Sequence, residues 1–261
     1  MLLAIDVGNT NIVFGAFDGE LLTERWRLVT MRERTADEIG ILVTHLFARS
    51  DISTAAIDGI ILSSVVPALT RTMEEMCERF FGKRPVTVDP AANTGMPVLY
   101  HPAADVGADR VVNGVAAYEL FGRAGATPII VVDFGTATTF DAISRTGEYI
   151  GGVICPGIGI SADALFQRAA RLPRVDVRKP PSVIGRTTVT SMQSGLFFGY
   201  VSMVDGIVAR MREELEGGRD AICIATGGMA DVLASETSVI QRVEPDLTLQ
   251  GLRIIWGRNQ Q

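Results

Sequence analysis

The chain has 261 residues, 47% of them hydrophobic and 21% charged, with a formal net charge of −6 and a sequence pI near 5.1. That composition buries a substantial core, either as one large domain or as two modest ones. The acidic balance argues against a nucleic-acid binder, which carries a basic patch, but leaves phosphate ligands open, because loops and metal ions grip phosphate locally.

In chain order, an apolar run over Leu2–Ile5 ends at Asp6-Val7-Gly8-Asn9-Thr10-Asn11, and a second run follows over Ile12–Phe17. The Asp18-Gly19 turn and Leu21–Leu28 complete a strand, turn, strand, hairpin, strand pattern. A helix is predicted over Ala36–Arg49, a buried strand over Gly59–Ser63 and a helix beginning at Pro67, since proline suits a first helical position. A strand over Pro85–Val88, a loop over Asp89–Pro97, a polar connector to Asp105 and a helix over Ala108–Phe121 follow.

At Pro128 the pattern restarts. Ile129–Val132 ends at Asp133-Phe134-Gly135-Thr136-Ala137-Thr138, and Thr139–Ile143, the Thr146-Gly147 turn and Glu148–Ile150 come next. Asp6 falls on Asp133 and Gly8 on Gly135 at an offset of 127, and Asp18-Gly19-Glu20 falls on Thr146-Gly147-Glu148 at 128. A duplicated supersecondary unit is the reading, with two similar domains facing each other across a cleft. Beyond it lie a loop over Gly151–Gly159, a helix from Ser161, a long helix from about Val189 to Glu216, a strand over Ala221–Ala225 running into Thr226-Gly227-Gly228-Met229-Ala230, and a last helix over Leu247–Trp256.

Other chemistries have little to stand on. The only histidines are His45 and His101, so a histidine-rich zinc site is nearly excluded, and no Gly-x-Ser-x-Gly elbow accompanies either. Cys77, Cys155 and Cys223 are sparse and apolar in setting, the pattern of free thiols in a reducing cytoplasm. The MLLAI start is too short for a signal peptide, and no apolar stretch approaches the ~20 residues of a membrane span, so a cytoplasmic protein without a membrane partner is expected. Neither a P-loop nor a Gly-x-Gly-x-x-Gly fingerprint is present: Gly82-Lys83 runs into Arg84, and Gly157-Ile158-Gly159 lacks the third glycine.

A strand that stops at Asp-x-Gly-x-Thr and turns back has a physical logic. Glycine lets consecutive N–H groups face one concavity, threonine and asparagine add donors, and the aspartate stands where a cation bridges to phosphate. Taken alone, DVGNTN is equally an Asx turn; two such loops in matching positions favour phosphate. ATGGMA allows close approach of a ring or ribose, or is only a helix entry capped by Thr226. Asp109 is either a partner for the dipole of its helix, a role Asp105 could fill too, or the acceptor of a hydroxyl proton in phosphoryl transfer, with Arg110 beside it to hold an anionic acceptor.

The motifs AIDVGNTN, GADRVVNGVAA, VVDFGTATTFD, GGVICPGI, SMQSGLFFGYV and IATGGMA, in this order from Leu3 to about Ala234, resemble those of type III pantothenate kinases. The resemblance implies an α/β fold of two duplicated actin-like (ribonuclease H-like) domains with mixed sheets flanked by helices, 1–122 and 123–261, and nucleotide in the interdomain cleft. It implies ATP-dependent phosphorylation of pantothenate with Mg2+ and a monovalent cation, K+ or NH4+, by a homodimer. By motif, it makes Asp6, Val7, Gly8, Asn9, Thr10, Asn11, Ile12 and Val13 the first phosphate loop, Thr136 an ATP contact and Asp133 the ligand of the monovalent cation. Asp109 becomes the proton acceptor, with Gly107, Ala108, Asp109 and Arg110 lining the pantothenate site together with Tyr100. Thr188 matches a threonine that reaches pantothenate from the neighbouring subunit, although the family's Gly-Lys-Asn-Thr reads Gly185-Arg186-Thr187-Thr188 here. Two other readings share these residues: an accessory protein that binds nucleotide without turnover, and a kinase with another hydroxylated acceptor.

Overall fold

The structure, a computed structural model, describes residues 1–88 and 93–260. Of the expected Asp89–Pro97 loop, residues 89–92 lie outside the described residues. The chain divides into two compact units, residues 1–116 with 247–261, and residues 117–246.

In the first unit, β1 (Leu2–Val7), β2 (Asn11–Asp18) and β3 (Leu21–Val29) form an antiparallel meander. Gly19, at φ +59, makes the hairpin turn possible, a conformation other side chains resist. Helix α1 (Ala36–Arg49) starts on a capping box in which Thr35 accepts from the Glu38 N–H and Glu38 accepts from the Thr35 N–H. Strand β4 (Gly59–Ser64) pairs parallel with β1, and α2 (Pro67–Phe81) opens on Pro67 and closes on Gly82 at φ +65. Strand β5 (Val86–Thr87) completes a sheet of order β3-β2-β1-β4-β5. Ile5, Ile12, Phe14, Ile39, Phe47 and Leu62 are among the side chains that fill its core. Helix α3 (Ala108–Ala117) follows; the helix expected to continue to Phe121 widens instead into a π-helical turn over Tyr118–Gly122.

The second unit repeats the plan. Strands β6 (Ile129–Phe134), β7 (Ala137–Ile143) and β8 (Tyr149–Pro156) form the meander, and β9 (Ile222–Thr226) and β10 (Arg242–Val243) add in parallel beside β6, giving β10-β9-β6-β7-β8. Read from β8 to β10, this is the strand order of the first sheet. Register refines the alignment: Val7 faces Ile12 across loop residues 8–11, whereas Phe134 faces Thr138 across residues 135–137, so the second loop is one residue shorter. Helices α4 (Ile158–Arg168), α5 (Thr188–Glu214) and the short α6 (Ala230–Ala234) complete the unit. Val132, Phe140, Phe197, Val204 and Leu233 are among its core.

Two expectations are corrected. Gly151–Gly159 is not a loop: β8 runs through Pro156, its residues alternately exposed and half-buried as an edge strand's are, because pairing to β7 outweighs the low strand propensity of its glycines. The second domain, expected to run to residue 261, gives up the last helix, α7 (Leu247–Arg258), which packs on β1 and β4 of the first unit. The cause is glycine complementarity. A Cβ at Gly59 would lie 2.1 Å from the Trp256 ring, one at Gly15 2.9 Å from Leu249, and one at Gly251 2.2 Å from the Val112 carbonyl of α3. Burying Leu247, Leu249, Leu252 and Ile255 stabilises that docking by at most roughly 6–12 kcal/mol.

Candidate active site

Loop 1 is built from the ends of β1 and β2. The Gly8 N–H donates to the Asn11 carbonyl at 3.0 Å, and a Cβ at Gly8 would sit 3.0 Å from that same oxygen. Thr30, just past β3, ties the loop from behind: its N–H donates to the Thr10 carbonyl (2.9 Å) and its hydroxyl to the Gly8 carbonyl (2.7 Å). Val7 and Ile12 are buried in the core, so any ligand contact they make runs through backbone; Asn9 and Thr10 are exposed at the tip, and Asp6 and Val13 are half-buried.

Asp109 opens α3 and lies over a glycine. A Cβ at Gly107 would be 2.6 Å from the Asp109 Oδ1 and 3.7 Å from Val65 Cγ1, so no side chain fits there without displacing the carboxylate. Val65 in turn donates its N–H to the Val7 carbonyl at 3.0 Å, which links the Gly107–Arg110 segment to the base of loop 1 through one residue. The carboxylate accepts the Arg110 N–H at 2.8 Å. Loss of hydration pushes the Asp109 pKa above the ordinary carboxylate value, with the Arg110 N–H and guanidinium pulling the other way. A raised pKa makes a carboxylate a stronger base at neutral pH, which is what proton abstraction from an alcohol needs. Ala108 and Arg110 are buried, Tyr100 is exposed on the connector, and Asn113 is fixed by the Thr248 hydroxyl of α7 at 2.7 Å.

Loop 2, in the second unit, closes in the same manner. The Gly135 N–H donates to the Ala137 carbonyl at 3.0 Å, and Gly135 and Thr136 are exposed. Here the support comes from the end of β8: the Gly157 N–H donates to the Thr136 carbonyl at 3.1 Å, and a Cβ at Gly157 would lie 2.1 Å from that oxygen. Gly227, at φ +92, brings β9's end against Asp133, since its Cβ would stand 2.5 Å from Asp133 Oδ1 and 2.7 Å from the Phe134 backbone. The result is a close approach of the β9 end to the Asp133 carboxylate that only a glycine permits, with an oxygen ligand of the kind a hard cation takes at its edge. No group of three or more acidic, histidine or cysteine side chains placed to hold a metal occurs among the described residues.

Thr226 does not cap the helix after it. It is buried at the end of β9 opposite Asp133, and the N-cap of α6 is Met229, which supplies no side-chain cap. Thr188 is exposed as the first residue of α5, beside an open groove of about 850 Å³ whose walls include Leu165, Arg186, Met192 and Tyr200. Thr187, where the family has asparagine, is the N-cap: its hydroxyl accepts the Thr190 N–H at 3.2 Å while the Thr190 hydroxyl accepts the Thr187 N–H at 3.0 Å. Asparagine and threonine both cap helices, so the exchange keeps the local role.

Full-length sequence similarity identifies the family. The family profile described as type III pantothenate kinase matches residues 2–210. The chain is 56% identical over 259 residues to a type III pantothenate kinase of Myxococcus xanthus, covering 99% of each, and 52% identical to one from Moorella thermoacetica, covering 99% of this chain and all of the other. The chain belongs to the type III pantothenate kinase family. Solved structures at lower identity show the fold: a Campylobacter jejuni protein assigned to the Baf family of transcriptional activators (TM-score 0.61, 18% identity, 99% of this chain and 98% of the other) and an Arthrobacter polyphosphate/ATP-glucomannokinase (TM-score 0.53, 17% identity, 98% of each). Both are consistent with the duplicated, actin-like plan of this family member, with its two mixed five-stranded sheets flanked by helices.

The sequence reading overlooked several supports. Thr30, Gly157 and Gly227 hold the loops without belonging to their tips; Gly157 and Gly227 lie inside the motifs GGVICPGI and IATGGMA, but their part as supports was not read, and Thr30 carried no signal. Asp141 and Tyr149 are fully buried side chains in the second sheet. The Tyr149 hydroxyl donates to the Asp141 carboxylate at 2.7 Å, and the Thr139 hydroxyl donates to its other oxygen at 3.3 Å.

Proposed function

We propose that the chain transfers the γ-phosphate of ATP to the primary hydroxyl of pantothenate, giving 4′-phosphopantothenate at the first step of coenzyme A biosynthesis. The observation that carries the reading, beyond family membership, is Asp109: a partly accessible carboxylate of raised basicity, held over Gly107 and tied through Val65 to a glycine-bearing phosphate loop. Asp109 takes the hydroxyl proton as the alcohol attacks, and Arg110, Ala108, Gly107 and Tyr100 position the acceptor. The backbone of Asp6–Val13 and the Thr136 region hold the phosphate chain, with Mg2+ supplying charge neutralisation there. Asp133, with the close approach at Gly227, is the seat of the monovalent cation.

A homodimer accords with α5, on which Ser191, Gly195 and Gly199 are exposed at spacings of four with open space around both glycines, room for a close helix neighbour. Thr188, on the same helix, then reaches the partner's acceptor. The cytoplasm suits free Cys77, Cys155 and Cys223; burial pushes the thiols of Cys77 and Cys223 up to about 12, so both stay protonated. Among the described residues no helix is long and apolar enough to cross a membrane.

The test is ADP release with Mg2+ and a panel of hydroxylated acids, in K+, NH4+ or Na+ alone, with mass measured by light scattering. Turnover confined to pantothenate and lost in Na+ is expected. Turnover with a different acceptor, or nucleotide binding without turnover, would overturn the reading.

A further inference from the structure

We propose that the turn between β3 and α1 belongs to the phosphate grip, with Arg32 as its cation: Arg32 orients Asn9 and brings positive charge to the phosphate chain of the bound nucleotide. The proposal rests on the nucleotide-binding reading of loop 1.

Loop 1 has a charge problem. A nucleoside triphosphate is polyanionic, yet residues 6–13 include Asp6 and no lysine or arginine, unlike a P-loop with its built-in lysine. Any side-chain cation that adds to the charge of Mg2+ there comes from a neighbouring segment, and the protein as a whole carries −6. Thr30 clamps the Gly8 and Thr10 carbonyls from behind, which fixes the Met31–Arg34 turn beside the loop. That turn is itself closed, the Arg34 N–H donating to the Met31 carbonyl at 3.2 Å.

From there, Arg32 Nη2 donates to Asn9 Oδ1 at 3.4 Å, and both residues are exposed at the loop tip. Guanidinium has no acceptor, so Asn9 must turn its oxygen toward Arg32 and keep its NH2 for another partner. An amide NH2 offered at the tip of a phosphate loop has the polarity that a phosphate oxygen requires. The remaining N–H groups of a planar five-donor guanidinium stay available beside that amide for an anion. Arg34 strengthens the case. Its Nη1 is buried with no hydrogen-bond partner among the described residues, so the turn holds a second guanidinium with an open donor. A solvated surface arginine would account for Arg32 alone, but not for its orienting contact on the loop tip together with that open donor.

The test compares Arg32→Gln and Arg32→Lys with Arg71→Gln, a charge control on α2 whose partner is the exposed Glu75. Binding of ATP, ADP and adenosine is measured by calorimetry, alongside KM for ATP and for pantothenate and a thermal melt. Loss of one charge-assisted contact predicts ATP and ADP binding weaker by about 10- to 100-fold in Arg32→Gln. Adenosine binding, the pantothenate KM and the melt should stay at wild-type values, Arg32→Lys should recover part of the loss, and Arg71→Gln should change nothing. ATP binding within twofold of wild type, or equal weakening of adenosine, would overturn the proposal. A wild-type protein that binds ATP but phosphorylates no acceptor would refute the kinase reading and leave this binding test intact.

Discussion

Replacing Gly157 by alanine isolates the support of loop 2. The backbone at Gly157 has φ −68 and ψ 154, which any residue adopts, so the substitution costs nothing in backbone strain. What it meets is backbone: the new Cβ would lie 2.1 Å from the Thr136 oxygen, 2.7 Å from the Thr136 carbonyl carbon and 2.7 Å from the Gly135 oxygen. Neither a strand end nor a closed loop yields as a flexible side chain does, so the end of β8 and loop 2 must part by more than an ångström. Overpacking of that kind costs about 1–3 kcal/mol, and the strained or broken Gly157 to Thr136 hydrogen bond adds about 1 kcal/mol. Together these lower the melting temperature by roughly 5–15 °C. The displaced loop carries Thr136, so the KM for ATP should rise with little change in the KM for pantothenate. Gly159→Ala is the control, two residues on in α4 with nothing within 4 Å of its Cβ. Urea and thermal unfolding with ATP-dependent kinetics on both variants decide the matter. A Gly157→Ala protein as stable as wild type with an unchanged KM for ATP would refute the steric argument.

Asp109→Asn should reduce kcat by about 10²–10⁴-fold in the coupled ADP assay while leaving the fold intact. Its stability carries a sign: the folded pKa lies above the unfolded one, so the carboxyl costs nothing in acid, and wild-type stability is lost as pH rises from the ordinary aspartate value through the folded one. The variant should therefore match wild type in acid and equal or exceed it at neutral pH, as urea titrations at several pH values would report. Thr187→Ala removes the α5 N-cap and should cost about 1 kcal/mol by chemical denaturation, whereas Thr187→Asn should cost less than half of that. Tyr149→Phe leaves the buried Asp141 carboxylate without its 2.7 Å donor and should destabilise the protein by about 1–3 kcal/mol in the same measurement.

Most of the architecture was legible in the residues. Alternation, turn glycines, Thr35 with Glu38, and Pro67 with Gly82 mark elements through short-range physics, and the repeat of Asp6-Val7-Gly8 at Asp133-Phe134-Gly135 announced the duplication before any strand order was seen. The continuation of β8 beyond Ile150 was missed because two adjacent glycines weigh against a strand locally, while the ladder to β7 is a non-local gain. The ownership of α7 was missed for a related reason: its partners Gly15, Gly59 and Val112 lie far away in the chain, and nothing in an amphipathic pattern says which surface will receive it.

The sequence by itself determined the two loops, the aspartate that opens α3 and the family, because those depend on residue type and spacing along a few consecutive positions. The tertiary structure alone decided what holds them: Thr30 behind loop 1, Gly157 and Gly227 against loop 2 and Asp133, Gly107 beneath Asp109, and Arg32 beside Asn9. Supports of this kind act through close approach between segments distant in the chain, and close approach is a property of packing that one-dimensional order does not carry.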